Sequence, residues 1–184
     1  MYDQFKVKAE AVSADVLRFQ TKGEALDFIF RFMREEGLST YAGESAVWAD
    51  GNFIEDIDKN VLEAEGIFFG VTAQRAAGAR FGICCMDWAI ADTGTLAHDS
   101  TSFEKRLVST LPEIHIAILS AKAILPDLQS FIERVSPEKF PFISLITGPS
   151  RTADIERVLT IGVHGPRRLV TVFVDELEVN TDEK

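Results

Sequence analysis

The sequence predicts an α/β fold in which a mostly parallel sheet lies between helices as a three-layer sandwich. Strand-like and helix-like segments alternate along the chain, as expected when parallel strands are joined by helical crossovers. The segment 113–120 becomes continuously apolar, which is typical of a strand buried on both faces. Clusters of glycine, hydroxyl groups and charge follow or adjoin such segments, as the ligand-binding loops of open α/β sheets do.

Capping signals and hydrophobic periodicity define the individual elements. Thr21 and Glu24 have the spacing of a capping box, which marks a helix start, and Gly37 marks the end of that helix. A second capping-box pair, Thr101 and Glu104, precedes another amphipathic segment. The predicted strands span 16–20, 45–49, 66–72, 81–85, 113–120, 142–146 and 169–174, and the predicted helices span 21–37, 54–62, 74–80, 103–111 and 126–135.

Length and charge restrict the domain count and the possible partners. A chain of 184 residues favours a single domain over 1–184, and its 46% apolar and 26% charged residues permit a sizeable core. The net charge of −10 opposes the attraction to phosphate backbones on which nucleic-acid binding depends. Part of this charge lies in 175–184, which we expect to be a solvated acidic tail.

Several classes of protein and site are not indicated. The chain starts without a signal-peptide core, and no stretch has the apolar length of a membrane span. Two adjacent cysteines, Cys84 and Cys85, cannot form a disulfide framework, so we expect a cytoplasmic protein in which they are small buried side chains. The histidine spacing predicts no metal site; His115 is expected to be structural, whereas His98 could reach the rim of a pocket.

One cluster runs from Thr147 to Glu156, directly after a predicted strand. Gly148 and Pro149 indicate a sharp turn, after which Ser150 or Thr152 could cap a helix. A helix start offers free backbone amides, and Arg151 adds a planar cation suited to carboxylate or phosphate. This pattern predicts an anion-binding turn. An ordinary capped helix with a surface ion pair between Arg151 and Asp154 is the alternative.

The cluster Ala91–Thr95 and the cluster Gly162–Pro166 carry candidates for proton transfer. In the first, Asp92 could act as a base, although such sequences are common in plain turns. In the second, His164 is flanked by glycines that would expose an imidazole able to titrate near neutral pH. A histidine that only bonds backbone groups is the alternative there.

Taken together, the clusters resemble those of a known family, the LUD-domain family, and within it the lactate-utilisation protein C or YkgG-like branch. The resemblance is strong over residues 81–174 and follows the order and spacing of the family motifs. It rests on four segments, which are residues 87–95, 111–116, 147–156 and 162–166. Asp92 departs from the pattern, because the family often has glutamate at this position.

The resemblance implies a fold related to ribose-phosphate isomerase, glucosamine-phosphate deaminase and CoA-transferase. It also implies a cytoplasmic subunit of a system that oxidises L-lactate to pyruvate together with two iron–sulfur partners. Those partners would carry cysteine-ligated clusters. Because this chain has only two cysteines, we expect it to bind no cofactor itself.

We therefore expect the three clusters to converge at one rim of the sheet around a positively charged hollow for a small carboxylate or phosphorylated ligand. Two rivals remain open: an independent enzyme acting on a sugar phosphate or an acyl-CoA, and a non-catalytic assembly factor. The predicted proton-transfer residues are Asp92 and His164, and the predicted ligand-binding residues are Thr93, Gly94, Thr95, Gly148, Ser150, Arg151, Thr152 and Gly165.

Overall fold

The computed structural model describes residues 1–49, 52–136, 138–152, 160–162 and 164–179. Its helices are α1 (Tyr2–Ala11), α2 (Lys22–Glu35), α3 (Lys59–Ala64), α4 (Ala73–Ala77), α5 (Phe103–Thr110) and α6 (Leu128–Ile132), with 3₁₀ turns at Asn52–Ile54 and Ala121–Ala123. Its strands are β1 (Ala14–Phe19), β2 (Ala46–Trp48), β3 (Ile67–Phe68), β4 (Phe81–Cys85), β5 (Trp88–Ile90), β6 (Thr95–Asp99), β7 (Ile114–Ser120), β8 (Ile124–Leu125), β9 (Ile143–Ile146), β10 (Arg151–Thr152), β11 (Thr160–Ile161) and β12 (Arg168–Val174).

A six-stranded parallel sheet forms the centre of the fold, in the order β1-β12-β7-β4-β2-β3. Every residue of β7 is buried, because this strand is covered on both faces. The continuous apolar run at 116–119 therefore predicted a central strand correctly, and the α/β fold class is confirmed.

Helices cover both faces of this sheet and bury two apolar cores. On one face α2 packs Ile29 and Met33 against β-strand residues such as Ile116. On the other face α1, α4 and α5 share the surface with a second sheet, and Phe5 of α1 packs edge-to-face on Phe173 of β12. Such apolar burial is the main favourable term in the stability of the fold.

The second sheet has four strands in the order β8-β5-β6-β9 and was not predicted as a sheet. β5 and β6 form an antiparallel hairpin, and β9 pairs antiparallel with β6. β9 was predicted as a strand, and a plain turn between two buried segments was one of the two alternatives for Ala91–Thr95. These residues form the tip of the hairpin and the start of β6.

Capping of the helices was predicted in part. Thr21 and Glu24 form the complete capping box of α2. The second predicted box is wrong, because Ser102 is the N-cap of α5 and Thr101 bonds instead to Asp99. α1 was missed, since most of its surface is charged or polar.

Part of the predicted acidic tail, residues 175–178, lies against the fold and bonds to it, while Glu176 and Glu178 stay exposed to solvent. Asp175 accepts a 2.7 Å hydrogen bond from Arg18, and the Glu176 carboxylate accepts the Lys22 amide in the first turn of α2. The Leu177 carbonyl accepts a hydrogen bond from the Ser120 hydroxyl, and Glu178 forms an ion pair with Lys122. This strap crosses the carboxyl ends of β1, β12 and β7. Residues 180–184 lie outside the described part of the chain.

Among the helices that the structure describes, none combines the length and the apolar character needed to cross a membrane.

Candidate functional site

The tip of the β5–β6 hairpin and the loop after β9 lie side by side against the end of α1. Thr95 Oγ1 lies 2.8 Å from Thr147 Oγ1, which joins the first cluster to the second. Gly94 and Gly148 both have positive φ angles, of 67° and 71°. A methyl group on Gly94 would lie 2.4 Å from the Ala9 nitrogen. These glycines therefore serve close backbone packing.

Ser150 joins the second cluster to the third. Its amide donates to the Pro166 carbonyl at 2.8 Å, and its hydroxyl donates to the His164 carbonyl at 3.2 Å. Gly162 in turn donates its amide to the Ser150 carbonyl. The predicted convergence of the three clusters is thus found in the structure.

The clusters meet at the amino-terminal edge of the parallel sheet, whereas open α/β sheets usually bind ligands at the carboxyl-terminal edge. The third cluster directly precedes β12, and the Arg167 amide after it bonds to the Glu113 carbonyl before β7. α1, α4 and α5 all end near this edge, because each is followed within a few residues by a strand of the sheet. Helix carboxyl ends carry partial negative charge, which repels anions. Binding of an anion at this edge would therefore depend on nearby arginines.

No helix begins directly after Ser150, and a helix capped by Thr152 stays a prediction. Arg151 and Thr152 form β10, which pairs antiparallel with β11, and residues 153–159, including Asp154 and Glu156, lie outside the described residues. The Ser150 amide is already bonded to Pro166, so it does not serve as an anion donor. The ligand-binding role expected of Ser150 stays a prediction, and it does not include this amide.

Arg151 is the cation that was predicted to anchor an anion. Its guanidinium is exposed and donates a 3.3 Å hydrogen bond to the Ser13 hydroxyl. Among the described residues no carboxylate pairs with it. Ser13 has a positive φ of 71°, uncommon for a residue with a side chain, and nothing in the sequence pattern indicated its contact with Arg151.

The other predicted residues divide into exposed and buried sets. Asp92, Thr93 and His164 are exposed, and the Asp92 amide bonds to the Pro126 carbonyl. Gly94, Thr95 and Gly148 are buried, so they form the framework of the site rather than a wall that a ligand could touch.

A cavity of about 340 Å³ adjoins the third cluster at the same edge. Gly165 separates it from Ser150, since a methyl group on Gly165 would lie 3.1 Å from the Ser150 side chain. The charged residues of its wall are Arg80, Glu113 and Arg167, and the remaining wall is formed by Gly43, Ala77, Gly78, Ala79, Leu111, Gly162 and Gly165. Gly165 was predicted as a ligand-binding residue, whereas no role was expected for Arg80 or Glu113.

Arg167 and Arg168 are both paired by carboxylates. Arg167 forms an ion pair with Glu113. Arg168 donates to Asp15 at 2.7 Å and to Glu36 at 2.8 Å, and its guanidinium lies over the Phe32 ring. Arg168 thus covers the start of β12.

The two other histidines lie inside the protein. His98 is completely buried with both ring nitrogens lacking a hydrogen-bond partner among the described residues, so its predicted position at a pocket rim is wrong. His115 Nε2 lies 3.4 Å from the Cys84 sulfur. Burial lowers the pKa of His98 to about 4 and that of His115 to about 3, and it raises the pKa of the Cys84 thiol. All three groups are therefore uncharged at neutral pH.

The fold has a counterpart among solved structures. A crystal structure of a DUF162 family protein from Deinococcus radiodurans superposes with a TM-score of 0.63, over 94% of this chain and 93% of that one, at 15% sequence identity. This similarity defines the class of fold, an α/β protein with a central parallel sheet.

The sequence comparisons define the family. The LUD domain model matches residues 2–174. Lactate utilization protein C of Macrococcus caseolyticus is 36% identical over 147 residues, which is 73% of this chain and 62% of that protein. Uncharacterized protein YkgG of Escherichia coli is 32% identical over 108 residues, 55% of this chain and 47% of that protein. The chain belongs to the LUD domain family, in the lactate utilization protein C and YkgG-like branch. It spans about half to three-fifths of these relatives' length.

We predict that Gly94→Ala destabilises the protein far more than Gly43→Ala. Both glycines have positive φ angles, but a methyl group at Gly43 meets no atom within 4 Å. Gly94→Ala should therefore cost about 2 kcal/mol more in the free energy of unfolding, because it forces the hairpin tip away from α1. Urea denaturation of the two variants measures this difference. Equal losses would contradict the close packing.

We also predict that the buried histidines make the protein acid-labile. Both folded-state pKa values lie below the unfolded value of about 6.5. Below that pH the unfolded chain therefore binds protons that the folded protein does not bind. The contribution of these histidines to stability is fully present above pH 6.5 and is lost as pH falls towards 4. The free energy of unfolding should fall by up to about 2 kcal/mol per histidine between pH 7 and pH 5.

Replacement of one buried histidine separates this effect from the titration of other groups. The slope of the unfolding free energy against pH should be smaller in His98→Leu than in the wild type, by the equivalent of about one bound proton over this range. The wild-type protein, measured over the same pH range, is the reference. An unchanged slope in His98→Leu would contradict the assignment.

Proposed function

We propose that this chain is a component of an L-lactate utilisation system, in which lactate is oxidised to pyruvate, and that it binds a small anionic ligand. The names of its relatives support the first part, and the match to the LUD domain over residues 2–174 extends across nearly the whole chain. The second part rests on Arg151, whose exposed guanidinium has a neutral hydroxyl as its hydrogen-bond partner.

The anion would lie on the surface of the amino-terminal edge, bound by Arg151. A guanidinium presents two parallel N–H donors to a carboxylate or a phosphate, and here the Ser13 contact holds it beside Ser150. His164 and Asp92 are the candidates for proton transfer, provided that the reacting atom lies within hydrogen-bond reach. Both are exposed, so the protein does not have to open for a ligand to approach them.

The proposed partners are iron–sulfur subunits of the same system. Conversion of lactate to pyruvate releases two electrons and two protons, so an electron acceptor has to take part. The two adjacent cysteines of this chain cannot supply the four thiolates of a typical cluster. We therefore assign the redox centres to partner proteins and a cytoplasmic location to the complex.

An assembly role is the second candidate, and the edge of the second sheet favours it. β9 is an edge strand, and Phe142 and Leu145 are 57% and 50% exposed. Phe103 lies near Phe142, since the Arg106 guanidinium stacks on the rings of both residues. An exposed apolar edge strand is a common docking surface for another chain.

Deletion of the gene should abolish growth on L-lactate as sole carbon source while leaving growth on pyruvate unchanged. The wild-type gene should restore growth. Arg151→Ala should restore it poorly if ligand binding is required and fully if the role is assembly alone. Arg31→Ala is the matched control, because Arg31 is an exposed arginine distant in sequence from the clusters. Normal growth of the deletion strain on L-lactate would contradict the proposed function.

Arg151→Ala should also weaken anion binding far more than folding. With inorganic phosphate as the probe, calorimetry should show at least about a tenfold higher Kd, because a charged hydrogen-bond donor is lost. The melting temperature should stay close to that of Arg31→Ala, since the Ser13 contact is exposed and contributes little to stability. Equal losses of binding and stability would contradict the anchor role.

A further inference from the structure

The outer edge of the second sheet is an open strand that lacks the charged side chains which usually protect such an edge. β9 pairs with β6 on one side and has no second neighbour among the strands that the structure describes. Protected edge strands commonly carry lysine or another charged residue. Residues 140–150 contain no charged residue, although 26% of the whole chain is charged. The edge of β9 is therefore suited to pairing with another uncharged strand.

The hydrogen bonds between β9 and β6 show which backbone groups of β9 point outward. The Ser100 amide donates to the Phe142 carbonyl at 2.8 Å, and the antiparallel ladder continues from there along β9. In such a ladder, residues whose backbone groups bond to the neighbouring strand alternate with residues whose groups point away from it. The amides and carbonyls of Ile143 and Leu145 therefore point towards the open edge.

The order of residues in this strand is symmetric about a central serine. Phe142 and Ile143 precede Ser144, and two further apolar residues, Leu145 and Ile146, follow it. Two such strands that pair antiparallel about a two-fold axis at the serine place apolar residues opposite apolar residues at the other positions. The outward backbone groups of Ile143 then face those of Leu145 in the second copy, so that both residues can donate and accept. The edge is thus complementary to itself, as a two-fold interface requires.

We propose that β9 pairs with β9 of a second copy of this chain, which joins the two four-stranded sheets into one continuous sheet. Phe103, Phe142 and Leu145 are each at least half exposed along this edge. Their burial in both copies would remove on the order of 600 Å² of side-chain surface. Standard interfaces bury about 1,200–2,000 Å², so the dimer is a weak one with a Kd in the micromolar range.

The charge of the chain gives this dimer a distinct dependence on salt. Each copy has a net charge of −10, so two copies repel each other at long range, and salt screens this repulsion. The contact itself is made by an uncharged strand, beside which the Arg106 guanidinium stacks on the Phe103 and Phe142 rings. The dimer should therefore become tighter as salt is added, whereas a contact between opposite charges would become weaker.

Sedimentation velocity on the full chain over a range of concentrations should show a monomer–dimer equilibrium. Leu145→Lys adds a charge at the open edge and should raise the Kd of the dimer at least about tenfold. Val61→Lys is the matched control, because Val61 is 56% exposed and lies on α3, which is not part of the second sheet. This variant should leave the Kd unchanged, and thermal unfolding should show that both variants are folded.

Disulfide cross-linking tests the register of the pairing. Ser144 would lie directly opposite Ser144 of the second copy, so Ser144→Cys should give a disulfide-linked dimer on mild oxidation. Leu145 would lie opposite Ile143, which leaves two Leu145→Cys side chains too far apart, so this variant should give far less linked dimer. The wild type, with its native Cys84 and Cys85, measures the background.

A monomer at every concentration, or equal cross-linking of the two cysteine variants, would overturn the proposed dimer. Impaired growth of a monomeric Leu145→Lys strain on L-lactate, when the wild type is also monomeric, would assign the edge to a different chain instead. Because Leu145 and Ser144 do not contact Arg151, these results leave the test of anion binding unaffected.

Discussion

The close packing of two glycine turns against the end of α1 is the constraint on which the site depends. Gly94 and Gly148 have left-handed backbone conformations, and neither has room for a side chain because the backbone of α1 lies within van der Waals contact. This contact holds the β5–β6 hairpin and the loop after β9 at the amino-terminal edge of the parallel sheet. The position of Arg151 beside Ser13 follows from it.

The electrostatics of this edge explain why arginines are gathered there. Helices of a parallel α/β fold end at the amino-terminal edge, so their partial negative charges accumulate there. Arg80, Arg167 and Arg168 lie close to these helix ends and each is near a carboxylate. Within the described part of the chain, Arg151 has only a hydroxyl partner. The chain as a whole has a net charge of −10, so a local group of arginines is the feature that would select an anion.

The opposite edge of the sheet is covered in part by the chain itself. Glu176 places its carboxylate at the first turn of α2, where a helix start would otherwise attract an external anion. Asp175 and Glu178 pair with Arg18 and Lys122 beside it. The acidic strap therefore occupies part of the edge at which open α/β sheets usually bind ligands.

The sequence by itself determined the elements whose signals are local. The capping box of α2, the buried strand β7 and the family membership could all be read from residue order, because caps and periodicity act between near neighbours. The tertiary structure alone decided which edge of the sheet carries the clusters, that Ser150 bonds to Pro166 rather than capping a helix, and that Arg80 and Glu113 share a cavity. These are contacts between distant segments, and their geometry depends on how the whole chain packs.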